Sequence, residues 1–179
     1  MKIAIYSEKG GAGKSTLSVA LAFALELPII DLDPMQVSSG HLRKRDPAAL
    51  KQGCWIADFP AGVDLGHAKY LSNADLVVVP CRPTWPDLKG LGQTIKYVKA
   101  HIAPSAKLAL FANAISPKSS DLSLFIEGAA AYGLPILGHF TQRVVYGRAG
   151  MSGVSYGDLD AVAGSEINRV VAAVKGLLP

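Results

Sequence analysis

The residues best suited to chemistry are the run Glu8-Lys9-Gly10-Gly11-Ala12-Gly13-Lys14-Ser15-Thr16, which follows a short apolar stretch and precedes a helical pattern. Glycines let the backbone take positive φ and turn consecutive N–H groups toward one point, and the following helix adds the positive end of its dipole. That geometry binds phosphate. Gly10, Gly11, Ala12 and Gly13 supply the cradle, Lys14 is placed to meet β- and γ-phosphates, and the Ser15 hydroxyl to ligate Mg²⁺, with Thr16 next along. A plain strand-to-helix turn needs neither the Lys-Ser pair nor three glycines in four positions.

Two further stretches end in acids. Ile29-Ile30-Asp31-Leu32-Asp33-Pro34 closes a second apolar run, and Ile56-Ala57-Asp58-Phe59-Pro60-Ala61-Gly62 closes a third. In open α/β sheets ligands sit outside the carboxyl ends of the strands, where these acids fall. A short apolar run ending in an acid and small residues has the form of a Walker B element. Asp58 would hold Mg²⁺ through water, and Pro60 to Gly62 would form a loop that feels the γ-phosphate.

The elements that must position these groups alternate along the chain. Lys2–Tyr6, Pro28–Asp31, Trp55–Asp58, Asp75–Pro80, Lys107–Asn113 and Pro135–Leu137 read as strands, and their continuous apolar character predicts burial on both faces. Helical patterns cover Lys14–Glu26, Leu65–Ser72, Asp87–His101, Asp121–Tyr132 and Asp160–Leu178. The alternation predicts an α/β fold, a mostly parallel central sheet of about six strands with helices on both faces. No composition shift marks a linker, so residues 1–179 are expected to form a single domain. The apolar stripe Ile167, Val170, Val171, Val174, Leu177 and Leu178 is expected to pack on the core, because Arg169 and Lys175 alone make a poor membrane-facing face.

Composition narrows the class. Of 179 residues half are apolar and 18% charged, with 18 Lys plus Arg against 14 Asp plus Glu, a formal charge of +4. At this size a chain can bury roughly 70% of its unfolded surface without disulfide or metal staples. Cys54 and Cys81 are too few for a disulfide framework and are expected to be buried thiols. There is no run of about 18 apolar residues to cross a bilayer and no signal-peptide core, so a cytoplasmic location is expected. The sequence pI of about 9.1 is only weak support for a nucleic-acid partner. The densest positive cluster is His41-Leu42-Arg43-Lys44-Arg45.

The strict pattern G-x-x-x-x-G-K-[ST] fails at Glu8, and a second lysine, Lys9, opens the loop instead. With Lys-Gly-Gly-Ala-Gly-Lys-Ser-Thr the chain resembles the ParA/MinD family of P-loop ATPases, with their deviant Walker A loop, and within it the small plasmid-partition ParA proteins. The resemblance implies a P-loop NTPase fold, ATP and Mg²⁺ as cofactors, and slow, partner-stimulated ATP hydrolysis. It implies that Lys9 reaches across a homodimer interface to the partner's ATP, that Asp33 positions the attacking water, and that Asp31 supports the metal site. Asn113, at the end of Leu108–Asn113, resembles the family residue that contacts adenine, although a turn-forming role stays open and the following Ala114 departs from the family's basic residue. Phe140 and Thr141 would lie near the base, and Arg143 would be structural. Trp85 reads equally as an interface anchor or a half-buried surface tryptophan.

Partition of plasmid or chromosomal DNA is the implied role, with nonspecific DNA as a track, a centromere-binding ParB-like partner protein, nucleoid association in the DNA-bound state, and no membrane contact. Arg43, Lys44, Arg45, Arg143, Arg148, Arg169 and Lys175 are the basic candidates for DNA contact. Two compressions separate the chain from the family: 16 residues between Lys14 and Asp31 (15–30), and 24 between Asp33 and Asp58 (34–57). Two other readings remain, an ATP-dependent synthase of the dethiobiotin or cobyrinate type and a nucleotide-binding regulator that has lost hydrolysis.

Overall fold

A computed structural model describes residues 1–33, 53–62, 65–117, 119–148 and 154–178. Six strands form one sheet: β1 (Lys2–Ile5), β2 (Ile29–Asp31), β3 (Trp55–Asp58), β4 (Leu76–Cys81), β5 (Lys107–Ile115) and β6 (Ile136–Thr141). Their order is β2-β3-β1-β4-β5-β6, and every neighbouring pair is parallel. The helices are α1 (Lys14–Leu25), α2 (Ala68–Ser72), α3 (Trp85–His101), α4 (Asp121–Ala130), α5 (Val145–Arg148), α6 (Tyr156–Leu159) and α7 (Ala161–Leu177), with a 3₁₀ turn over Leu65–His67.

Strand alternation sorts the apolar side chains onto two faces. Ile3, Ile5, Ile56, Leu76, Val78 and Phe111 face α1 and α7, packing on Leu17, Leu21, Ile167, Val170 and Val174. Ala4, Trp55, Ala57, Val77, Val79 and Leu110 face the other way, toward Leu71, Leu91, Ile95, Val98 and Phe125 of α2, α3 and α4. The C-terminal stripe therefore packs into the core, as its spacing predicts. Arg169 and Lys175 stand exposed on the opposite face of α7.

Three of the boundaries that differ from the sequence reading have a local cause. β6 continues to Thr141 because Gly138, at φ 141°, lets α7 approach: a Cβ there would lie 3.2 Å from Val170. β5 runs on to Ile115 through an irregularity at Ala114, whose φ is 55°. α3 starts at Trp85, two residues early, because Thr84 caps it and Pro86 suits its first turn. Cys81 is buried, whereas Cys54 is half-buried and accepts a hydrogen bond from the N-terminal amine at 3.2 Å. Among the described residues no helix is long and apolar enough to cross a membrane. Residues 34–52, with Arg43, Lys44 and Arg45, lie outside the described part, as does the side chain of Arg148.

Candidate nucleotide site

The loop between β1 and α1 closes on itself and on two neighbouring segments. Gly11 and Gly13 take φ of 72° and 96°, the region that favours glycine. Gly13 is the N-cap of α1, so the first helical turn has no capping side chain, and it carries no acid. Its first amides and dipole end point into the loop. The Lys14 side chain curls back, and its Nζ donates to the Lys9 carbonyl at 3.1 Å. The amide of Gly62 donates to the Glu8 carbonyl at 2.8 Å, which docks the Pro60–Gly62 loop onto the phosphate loop.

Sheet register places the acids. Asp31 and Asp58 are paired residues at the ends of β2 and β3, and Ile5, the last residue of β1, pairs with Asp58 from the other side. Asp31 Oδ1 accepts the Asp33 amide at 2.9 Å, turning the chain so that Asp33 is buried. Lys14 is 7% exposed. Burial lowers its pKa, and the nearby charges of Asp58 and Asp33 oppose that shift and favour the ammonium. The structure thus brings Lys14, Asp33 and Asp58 together at the carboxyl edge of the sheet, with Ser15 and Thr16 half-buried in the first turn of α1.

These residues fit a Mg²⁺–nucleotide. Both positive-φ glycines open the cradle, and the uncapped helix start offers amides to phosphate oxygens. No group of three His, Cys, Asp or Glu side chains gathers among the described residues to hold a metal alone. A hydroxyl with carboxylates nearby is instead what Mg²⁺ needs when phosphates and water complete its octahedron.

The Asn113 side chain lies on the phosphate loop. Its Nδ2 donates to the Ala12 carbonyl at 3.0 Å, and the amide lies against Gly13. The continuation of β5 through Ala114 carries Asn113 to the loop, so here it braces phosphate-loop backbone. Phe140 and Thr141 have partners within the chain. Phe140 is fully buried, edge-on to Phe111 and stacked on Tyr146 at 4.8 and 4.7 Å. The Thr141 hydroxyl and amide donate to Glu166 at 2.7 and 3.2 Å. Arg143 is structural, as expected: its Nε and Nη2 bind Asp160 Oδ2 at 2.8 and 2.7 Å, while Asp160 caps α7. Trp85 is 79% exposed rather than half-buried.

Two acids escape the sequence reading. Glu166 is 1% exposed and accepts from Thr141 and from the Tyr146 hydroxyl at 2.7 Å, tying β6 and α5 to α7. Its signal was an acid set between Ala163 and Val170 on the apolar stripe. Glu166→Gln should lower stability by about 1–3 kcal/mol, read as a shift in urea midpoint, because an acceptor facing a donor becomes a donor or rotates away. Asp87 is the second; Lys9 and Arg82 both pair with it. Its signal was the capping pattern Thr84-x-x-Asp87.

An all-parallel sheet with a glycine-rich loop feeding a helix and acids at adjacent strand ends defines an α/β nucleotide-binding fold of the P-loop type. The model of the CobQ/CobB/MinD/ParA nucleotide binding domain matches residues 3–155, and the chain belongs to that family. Similar solved structures include apo McdA from Cyanothece, with a TM-score of 0.80 and 14% identity over 97% of this chain and 98% of that one. A putative plasmid partition protein from Borrelia burgdorferi bound to AMPPNP has a TM-score of 0.71 and 15% identity, covering 98% of each chain. Cobyrinic acid a,c-diamide synthase from Mycobacterium smegmatis with ADP and magnesium has a TM-score of 0.60 and 18% identity, over 79% of this chain and 86% of the other. Comparison with curated protein sequences finds no match.

Proposed function

We propose that this chain is a ParA-type ATPase, a switch that dimerises on ATP, binds duplex DNA without sequence preference, and serves DNA partition together with a ParB-like partner protein. The observation that carries the reading is Lys9, a second cation at the head of a loop that already has Lys14. One ATP needs one such lysine in its own loop, and Lys9 is surplus to a single site.

In this reading the amides of 10–16 and the Lys14 ammonium bind the phosphates, Ser15 holds the metal, and Asp58 and Asp31 orient its water. Magnesium, when bound, neutralises charge that builds on the β–γ bridging oxygen. Asp33 orients a water for in-line attack on the γ-phosphorus; the bond to the bridging oxygen breaks, and ADP and phosphate leave. Positioning carries most of such a reaction, so a site completed only by a second copy and a partner is slow by itself. Phosphate contacts from lysines and arginines should make DNA retention fall steeply with salt.

The test is sedimentation of the protein with a non-hydrolysable ATP analogue, for wild type and Lys9→Ala, together with ATP turnover with and without duplex DNA at low salt. Expected are nucleotide-dependent dimers that Lys9→Ala abolishes while it still binds nucleotide, and turnover raised by DNA. A chain that stays monomeric when loaded and passes over DNA unretained overturns the proposal. Turnover that requires a small carboxylic acid would instead identify a synthase, and tight binding with no turnover a regulator.

A further inference from the structure

α3 is the middle helix of its layer and packs against α2 and α4 on the sheet face away from α1 and α7. Its inner side is apolar, with Leu91, Ile95 and Val98 buried in the core. Its outer side exposes Lys89, Gln93, Lys96, Lys99 and Ala100. At about 3.6 residues per turn, the three lysines share an arc of about 80° and a length of about 15 Å. The one acid of α3 is Asp87, whose carboxylate is buried and already paired with Lys9 and Arg82. Among the described residues none of the three lysines has an ion-pair partner. Glu127 of α4 lines the same groove as Lys89 but lies beyond pairing distance.

Most other cations of the described residues are answered within the chain. Lys9, Arg82 and Arg143 pair with carboxylates, Lys14 is buried, and Lys69 lies over the Tyr70 ring. Arg169 and Lys175 are exposed on α7, but six positions put them about 120° apart around the helix. Only α3 sets several free cations in one line. The line is built of lysine, a point charge on a flexible stem without the planar fork that reads a base edge. A lipid surface would need large apolar side chains among the cations, and the outer side of α3 exposes none between Lys89 and Ala100. Trp85 precedes the line by one turn and groups with Leu88 and Leu124 instead. A phosphate backbone fits: lysines spread over about 15 Å can meet phosphates on both sides of a major groove about 12 Å wide.

We propose that the solvent face of α3, through Lys89, Lys96 and Lys99, is the surface that holds duplex DNA, by contacts to phosphate alone. The inference rests on the reading of the chain as a DNA-binding switch and gives that reading its surface. Three contacts in one copy hold DNA weakly, and a dimer brings six. Each contact releases a condensed counterion, so retention follows dimerisation without any change within α3.

The test is fluorescence anisotropy of a labelled duplex titrated with the full chain and a non-hydrolysable ATP analogue, at several salt concentrations. Lys89→Gln, Lys96→Gln and Lys99→Gln combined should weaken binding on the order of 100-fold or more near about 0.1 M salt. The slope of log K against log salt should become shallower by about 5, six contacts at about 0.9 each. Arginine at the same three positions should keep binding within about threefold of wild type, because the charge is kept. Arg169→Gln with Lys175→Gln should change neither quantity, and duplexes of unrelated sequence should bind alike. Glutamine suits a helix as well as lysine does, so sedimentation should show every variant dimerising on the analogue as wild type does. If the triple variant fails to fold or to dimerise, Lys96→Gln alone decides, with an expected loss on the order of tenfold. A dimerising variant that keeps wild-type affinity and slope overturns the surface alone. A wild type that dimerises but retains no duplex overturns the DNA-binding reading, and the surface with it. A loss as large from the α7 substitutions, a strong preference for one sequence, or capture by phosphatidylglycerol vesicles and not by duplex also overturns the proposal.

Discussion

Lys14→Met is expected to weaken ATP binding on the order of 100-fold or more while leaving the protein folded. Methionine keeps the buried stem and removes the ammonium. The lost group is a charge desolvated by burial and held in its protonated form by Asp58 and Asp33, the setting in which a phosphate contact is strongest. The same burial makes Lys14 unfavourable to the empty fold. Its folded pKa lies below the ordinary lysine value, so between the two the unfolded chain binds more protons, and through that window stability rises with pH. Below that window the full cost of burying the ammonium is carried by the fold. The variant also gives up the bond to the Lys9 carbonyl, so its thermal midpoint without nucleotide should stay close to wild type. Calorimetric titration with ATP and thermal melts with and without it separate the two effects. The wild-type midpoint should climb with ATP and that of the variant should not. Binding within about tenfold of wild type would show that Lys14 does not meet phosphate.

Gly13→Ala is expected to be the most damaging single methyl group that can be added to the loop. A Cβ at Gly13 would stand 1.9 Å from Asn113 Nδ2 and 2.7 Å from its Cγ. The Asn113 amide must then leave the Ala12 carbonyl, and the residue must still hold φ near 96° at the helix start. Backbone strain of about 1–2 kcal/mol and a lost hydrogen bond of about 1 kcal/mol place the destabilisation at about 2–3 kcal/mol. Nucleotide binding should fall with it, because the first amides of α1 are displaced. Asn113→Ala in the Gly13→Ala background should restore the part due to collision and none of the part due to φ. Urea unfolding of both single variants and the double variant measures this. Additivity within about 0.5 kcal/mol would mean that the two side chains never meet.

The contrast between these residues shows what a linear reading captures. Gly13, Lys14 and Ser15 are legible because their chemistry is local: a turn, a cation and a hydroxyl in consecutive positions at a strand-to-helix junction. The six strands are legible for a related reason, since burial on both faces leaves runs such as Leu76–Val79 without a polar residue. Asp87 and Glu166 are not, because each draws its meaning from partners supplied by another element. Lys9 lies 78 positions before Asp87, and Thr141 lies 25 before Glu166. The contact of Asn113 with the phosphate loop is hidden for the same reason: β5 continues past it, and its side chain meets a different element. α5 and α6 span four residues each, too short for any periodicity to show.

The bond between Asn113 and Ala12 joins residues 101 positions apart. During synthesis the phosphate loop leaves the ribosome long before β5 exists to brace it. β1 is flanked on both sides by strands made later, β3 and β4, and a parallel sheet cannot close by local hairpins. The nascent chain thus carries an apolar strand and an unbraced loop until more than half of its length has been made. Its capacity to take up nucleotide should appear abruptly, once residues through Ile115 have emerged, rather than growing with length. Truncated chains ending before β5 belong to the substrates of chaperones and proteases, not to the pool of weak ATP binders.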